Sequence, residues 1–231
     1  MKVTWRWLKR LLGVILLLFV LYQVWVLSCL VWWTHFNPGN TRFMQIRLAE
    51  LRVKKPDERL QQQWVHYNRI SRHLKTALIA SEDAKFVDHE GFDWEGIQKA
   101  IEKDQKKGKL VAGGSTISQQ LAKNLFLTPS RSFWRKGEEA AITLMMEAVM
   151  DKERIFEIYL NVIEWGTGIF GAEAAAIHYY GVHASQLSPE QAARLAAMVP
   201  NPRFYDSHRN APGLGRKSGI ILARMPAVEV P

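Results

Sequence analysis

Three short stretches of this 231-residue chain are more polar than folding alone requires. The first is Glu82-Asp83-Ala84-Lys85-Phe86-Val87-Asp88-His89-Glu90-Gly91. It follows the apolar run Leu78-Ile79-Ala80, so Glu82 leaves a helix end beside apolar neighbours. A carboxylate partly withdrawn from water is a better general base than a solvated one, provided something positions it. An exposed acidic helix end before a turn at Gly91 accounts for the same pattern. The second stretch is Gly113-Gly114-Ser115-Thr116-Ile117-Ser118-Gln119-Gln120-Leu121-Ala122-Lys123-Asn124. Thr116 and Gln119 make a capping box, so a helix starts here after two permissive glycines. Ile117, Leu121 and Leu125 form its packed stripe. Thr116, Gln120 and Lys123 form a polar stripe of hydroxyl, amide and ammonium donors, which suits a phosphate or a sugar. It is not a P-loop, because Gly-Lys-Ser/Thr is missing. The third is Arg131 to Glu139, centred on Arg135-Lys136-Gly137-Glu138-Glu139. Arg135 and Glu139 stand i, i+4, and Glu139 leads straight into the apolar run Ala140–Met150. A carboxylate drawn inward there needs its cations, as a structural pair or as part of a site.

The surrounding elements read as helices. Ser71 caps a run through Ala80, and Ser188-Pro189-Glu190-Gln191 combines an N-cap, Pro at N1 and a capping-box Gln for a helix to Val199. Ala140–Met150, apolar apart from Thr143 and Glu147, predicts a helix buried in the middle of the domain. Ile155, Ile158, Tyr159 and Val162 recur at helical spacing, and long alternating patterns are absent, so the fold class is mainly α. Lys103–Lys109 predicts a surface loop.

The chain suits one domain plus some extra, or at most two small ones, and 48% apolar with 23% charged residues excludes wholesale disorder. One cysteine, Cys29, excludes an intrachain disulfide framework and a Cys-cluster zinc site. No second His or Cys accompanies His89 at metal-ligand spacing. The net charge of +9 points to an anionic partner, but four of those charges, Lys2, Arg6, Lys9 and Arg10, precede an uncharged stretch from Leu11 to Trp33, leaving +5 on residues 34–231. That stretch is long enough to cross a bilayer. It exceeds a signal-peptide core and ends in Cys-Leu-Val-Trp-Trp, so it reads as an uncleaved anchor. The basic flank places the N-terminus in the cytoplasm and the rest on the far side. The expected organisation is a cytoplasmic basic tail over 1–10, a transmembrane anchor over 11–33, a membrane-proximal segment over 34–70 and a catalytic domain over 71–231. Within 34–70, Met44, Leu48 and Leu51 predict an amphipathic helix, lying on the membrane or packed on the domain.

Four blocks occur in order: Glu82-Asp83-x-x-Phe86-x-x-His89-x-Gly91; Gly114-Ser115-Thr116-Ile117-x-Gln119-Gln120-x-x-Lys123-Asn124; Arg135-Lys136-x-x-Glu139; and Lys152-x-x-Ile155-x-Glu157-x-Tyr159-Leu160-Asn161. Together they resemble the signature blocks of the peptidoglycan glycosyltransferases, glycosyltransferase family 51, over about residues 70–205. With no penicillin-binding transpeptidase domain after Pro231, the expectation is the monofunctional biosynthetic branch. Phe156 departs from the Leu more frequent in the family, with consequences expected for packing only.

The resemblance implies a lysozyme-like helical domain with a jaw near the membrane, in the bacterial inner (cytoplasmic) membrane with its catalytic domain periplasmic. The implied reaction is polymerisation of lipid II by inverting β1,4 transfer, with release of undecaprenyl pyrophosphate. By resemblance Glu82 is the general base and Glu139 the second essential carboxylate, orienting cations or holding a divalent cation, Mg or Mn. No organic cofactor is implied. The implied substrate-binding set is Asp83, Phe86, His89, Ser115, Thr116, Gln119, Gln120, Lys123, Asn124, Arg131, Arg135 and Lys136. Of these, Lys123, Arg131, Arg135 and Lys136 would face the pyrophosphate, whereas Asp83, Phe86 and His89 read as supports for Glu82. Expected partners are lipid II, the growing glycan chain, the membrane and cell-wall synthesis or division proteins, but no nucleic acid. The nearest rival is a lytic transglycosylase or hydrolase acting on finished glycan, with one glutamate as acid. A non-catalytic membrane scaffold is the more distant one.

Overall fold

The computed structural model describes residues 2–98, 102, 114–130 and 132–231; the Lys103–Lys109 run and Arg131 lie outside the described residues. Helix α1, Lys2–Trp33, carries one candidate membrane span, Trp5–Trp33. The basic tail is therefore the first turns of the same helix. Over Leu11–Leu21 the side chains of α1 are open, but Val26 and Leu30 are fully buried against the domain. Its end is clamped by Arg154, which donates to Trp33 O at 2.8 Å, Phe36 O at 2.6 Å and Asn37 Oδ1 at 2.9 Å. The C-terminal part of α1 is thus built into the domain.

Helix α2, Arg42–Lys54, is capped by Thr41 and packs on the domain through Phe43 and Met44. Its Arg47 reaches Glu164 at 3.2 Å. Of the two readings open for this helix, packing is the one adopted. Strand β1, Gln61–Gln62, joins a small sheet in the order β1-β3-β2 with β2, Glu164–Gly166, and β3, Ile169–Phe170. Strands of two or three residues are too short to show alternation, so the sequence carries no sign of this sheet.

The rest is helical, as expected: α3 Arg72–Glu82, α4 Ile117–Phe126, α5 Phe133–Val149, α6 Lys152–Val162, α7 Ala172–Tyr180, α8 Pro189–Met198, α9 Pro202–Ser207 and α10 Pro212–Arg224. Ser71, Thr116 and Ser188 cap their helices, the last two through complete capping boxes. The expectation of a helix buried all round at Ala140–Met150 is corrected. Helix α5 buries Glu139, Ile142, Thr143 and Met146 and leaves Leu144 57% exposed. It lies against α1, and apolar composition does not distinguish a protein interior from a lipid one. The helix buried in the middle is α6, where every residue from Ile155 to Val162 is buried. Two polar residues disguise it in sequence. Glu157 accepts from Tyr67 N at 3.1 Å, and the Asn161 amide pairs with both N and O of Val65 at 2.9 Å, so each ties the 62–67 segment to the core. Phe156 fills the space between Tyr67 and Phe86 with no exposed surface.

Candidate active site

Two short connections set the geometry. Helix α3 ends at Glu82, and the next residue, Asp83, starts the turn that leads away. Asp83 Oδ2 accepts from Ile117 N at 3.0 Å, the first amide of α4, and its Oδ1 meets His89 Nε2 at 2.9 Å. One carboxylate therefore fastens the end of α3 to the positive start of α4. Thr116 completes the joint by donating to Gly91 O at 2.7 Å. Gly91 has φ +85°, and a Cβ there would lie 2.7 Å from Thr143 Cγ2 on α5, so glycine alone fits where three elements converge.

These joints aim the Glu82 carboxylate along α4. Gln120 Nε2 donates to Glu82 Oε2 at 2.9 Å, while Gln120 Oε1 accepts from Tyr159 OH at 2.9 Å. Burial raises the pKa of Glu82 above the ordinary carboxylate value, and hydrogen bonds from Gln120 and Ser81, with the charges of Lys217 and Lys123, oppose that rise. One turn further, burial lowers the pKa of Lys123, opposed by Glu139 and Glu82 and reinforced by Arg135 and Lys136. Lys123 thus feels both glutamates. Glu139, 3% exposed, accepts from Arg135 Nη1 at 2.6 Å and from Lys136. Lys136 also reaches the exposed hydroxyl of Ser115 at 3.3 Å.

The structure accordingly brings together Glu82, Ser115, Gln120, Lys123, Arg135, Lys136 and Glu139. The others do different work. Thr116 and Gln119 are buried and spend their side chains on the capping box and Gly91. Asn124 is buried and bonds back to Gln120 O. Phe86 has no exposed surface, and Asp83 and His89 bond to each other behind Glu82. For Thr116, Gln119 and Asn124 the side chains are spent within the protein, and Asp83, Phe86 and His89 lie behind Glu82 as supports, the role the sequence reading gives them. Arg131 lies outside the described residues.

Both Glu139 oxygens are engaged by cations, and among the described residues no three His, Cys, Asp or Glu side chains converge on a metal position. The residues present do not fit a resident metal at Glu139. Lys217 and Arg224 were missed in the sequence. They line a recess beside Glu82 with Ala80, Ala197 and Ile220, and their i, i+7 spacing on α10 was the available signal.

A partly desolvated carboxylate beside a cluster of cations can take a proton from a hydroxyl while the cations receive an anionic leaving group. That is the chemistry of glycosyl transfer from a phosphorylated donor. The transglycosylase family model matches residues 49–226, and the chain belongs to that family. It is an enzyme, a glycosyltransferase, with one N-terminal helix long and apolar enough to span a membrane. It is 69% identical over 231 residues to a protein of Dechloromonas aromatica named biosynthetic peptidoglycan transglycosylase, covering 100% of both chains. Proteins of the same name from Chromobacterium violaceum and Methylobacillus flagellatus are 61% and 64% identical, covering 98% and 94% of this chain and 99% and 94% of their own.

Proposed function

We propose that this enzyme polymerises lipid II into peptidoglycan glycan strands from the outer face of the inner membrane, its N-terminus in the cytoplasm. The observation that carries the reading is that α4 bears both Gln120, bonded to Glu82 at 2.9 Å, and one turn on Lys123, which interacts with Glu82 and with the Arg135–Glu139–Lys136 cluster. An incoming sugar hydroxyl gives its proton to Glu82 as its oxygen attacks the anomeric carbon of the growing chain. The bond from that carbon to the diphosphate breaks, and the leaving undecaprenyl pyrophosphate takes the electron pair. Lys123, Arg135 and Lys136 receive the new charge, oriented by Glu139, with Ser115 beside them. Attack on the face opposite the leaving group inverts the α-linked donor to a β1,4 bond. Lys217 and Arg224, which line a recess beside Glu82, would hold the diphosphate of the incoming lipid II. A divalent cation, Mg or Mn, would enter with a substrate diphosphate rather than reside on Glu139. Partners in cell-wall synthesis or division belong to the same proposal.

The test is incubation of the purified full chain with labelled lipid II. Long glycan and free undecaprenyl pyrophosphate are expected, and Glu82→Gln should reduce the rate by about 10²–10⁴ while the thermal midpoint is kept. Shortening of finished glycan without polymer formation would favour the lytic rival instead.

A further inference from the structure

The Tyr159 hydroxyl lies inside the domain, where the only use for it among the described contacts is to donate to Gln120 Oε1. Most of the core around it is filled by rings and aliphatic chains, so a hydroxyl here has a desolvation cost that phenylalanine would avoid. Its partner is the amide that holds the base. A phenol hydrogen needs an acceptor and an ionised carboxylate offers only acceptors, so a side-chain amide between them has one good orientation. The oxygen faces Tyr159 at 2.9 Å and the NH₂ faces Glu82 Oε2 at 2.9 Å. Without the phenol, the amide oxygen loses its donor, and among the described contacts the orientation is left to Glu82 itself and to a long contact from Nε2 to Ser115 O at 3.5 Å.

We infer that Tyr159 is a positioning residue: through the Gln120 amide it holds Glu82 Oε2 and leaves Oε1 as the oxygen that takes the proton. This rests on the general-base reading of Glu82 given above. Among the described residues the one hydrogen bond to Glu82 Oε1 comes from the Ser81 hydroxyl at 3.5 Å, so it is the less occupied of the two oxygens. The charged and titratable groups around Glu82 among the described residues are Lys123 on α4, Lys217 and Arg224 on α10, Tyr159 on α6, the adjoining Asp83, and Lys85, Asp93 and Glu95 across the cavity that Glu82 lines. Tyr159 itself stays protonated, since burial and the nearby charges of Glu82 and Asp83 raise its pKa well above the ordinary phenol value. It therefore orients and does not exchange the proton.

Tyr159→Phe keeps the ring and removes only the donor. In the full chain acting on labelled lipid II, the acid limb of kcat should move up by about one pH unit, and kcat on that limb should fall about tenfold, the size of one hydrogen bond to a charged group. KM should stay within about twofold, because the ground-state contacts to substrate are unchanged. Gln120→Leu should move the limb in the same direction, and in that background Tyr159→Phe should move it no further. A limb unmoved in Tyr159→Phe, or equal shifts that add in the double variant, would overturn the inference. If Tyr159→Phe does not fold, Gln120→Glu carries the test. It sets two carboxylates against each other and must raise the limb, and an unmoved limb there also overturns the inference. Failure of the underlying reading looks different: Glu82→Gln would then retain most of its polymerising activity.

Discussion

Replacing Glu139 by Gln isolates what the buried carboxylate does, because the shape is kept and the charge is not. In the protein, one oxygen accepts from Arg135 Nη1 at 2.6 Å and the other from Lys136. The two partners do not count equally. Lys136 is 47% exposed, and water replaces most of what it loses, whereas Arg135 is largely covered. Taking the Arg135 pair as the main term, removal of one member of a buried pair costs about 3 kcal/mol. For a chain of this size that lowers the thermal midpoint by roughly 6–12 °C. A second consequence follows at Lys123. Burial lowers its pKa, and Glu139 is the largest opposing influence, so loss of that charge lowers it further. If the ammonium form receives the leaving group, the alkaline limb of the pH–rate profile moves to lower pH in Glu139→Gln. Thermal unfolding of the detergent-solubilised chain reads the first effect, and initial rates of glycan formation against pH read the second. A midpoint within about 1 °C of wild type, together with an unmoved alkaline limb, would refute the reasoning.

Asp83→Ala should cost about 2–3 kcal/mol in thermal or denaturant unfolding, because it strands both the Ile117 amide and the inner nitrogen of His89. Asp83→Asn, which still accepts, should recover part of it, and equal losses in the two variants would contradict the joint between α3 and α4. Arg154→Ala should speed limited proteolysis at residues 34–37 about tenfold, since the bonds to Trp33, Phe36 and Asn37 close that segment. Unchanged cleavage there would mean that the end of α1 is held by its apolar packing, Val26, Leu30 and the Trp25 and Trp33 rings on Phe126, without Arg154.

Much of this molecule is legible in its sequence because the signals involved are local. Caps at Ser71, Thr116 and Ser188 involve residues within three positions of one another, and the apolar run Leu11–Trp33 is a statement about composition and length. The placement of Glu82 at the end of α3 and the pairing of Arg135 with Glu139 are local in the same way. What the sequence could not separate was residues that touch a ligand from residues that hold those that do. Thr116, Gln119 and Asn124 sit in the same polar block as Gln120 and Lys123, and residue type alone does not say whether a donor is already satisfied.

Burial misled in the same direction. Helix α5 is apolar by composition yet partly open, and α6 is fully covered in spite of Glu157 and Asn161. Both patterns have one cause: a side chain's surroundings depend on what other segments supply, and here they supply the N-terminal helix to one and backbone partners to the other. The meeting of Tyr159, Gln120, Glu82 and Lys217 draws on four helices separated by up to 135 positions of chain. Which residues bear hydroxyl, amide, carboxylate and ammonium was written in the sequence. Which hydroxyl reaches which amide, and which oxygen of Glu82 is left open, was decided only when those helices packed, because hydrogen bonds are fixed by distances that no spacing along the chain specifies.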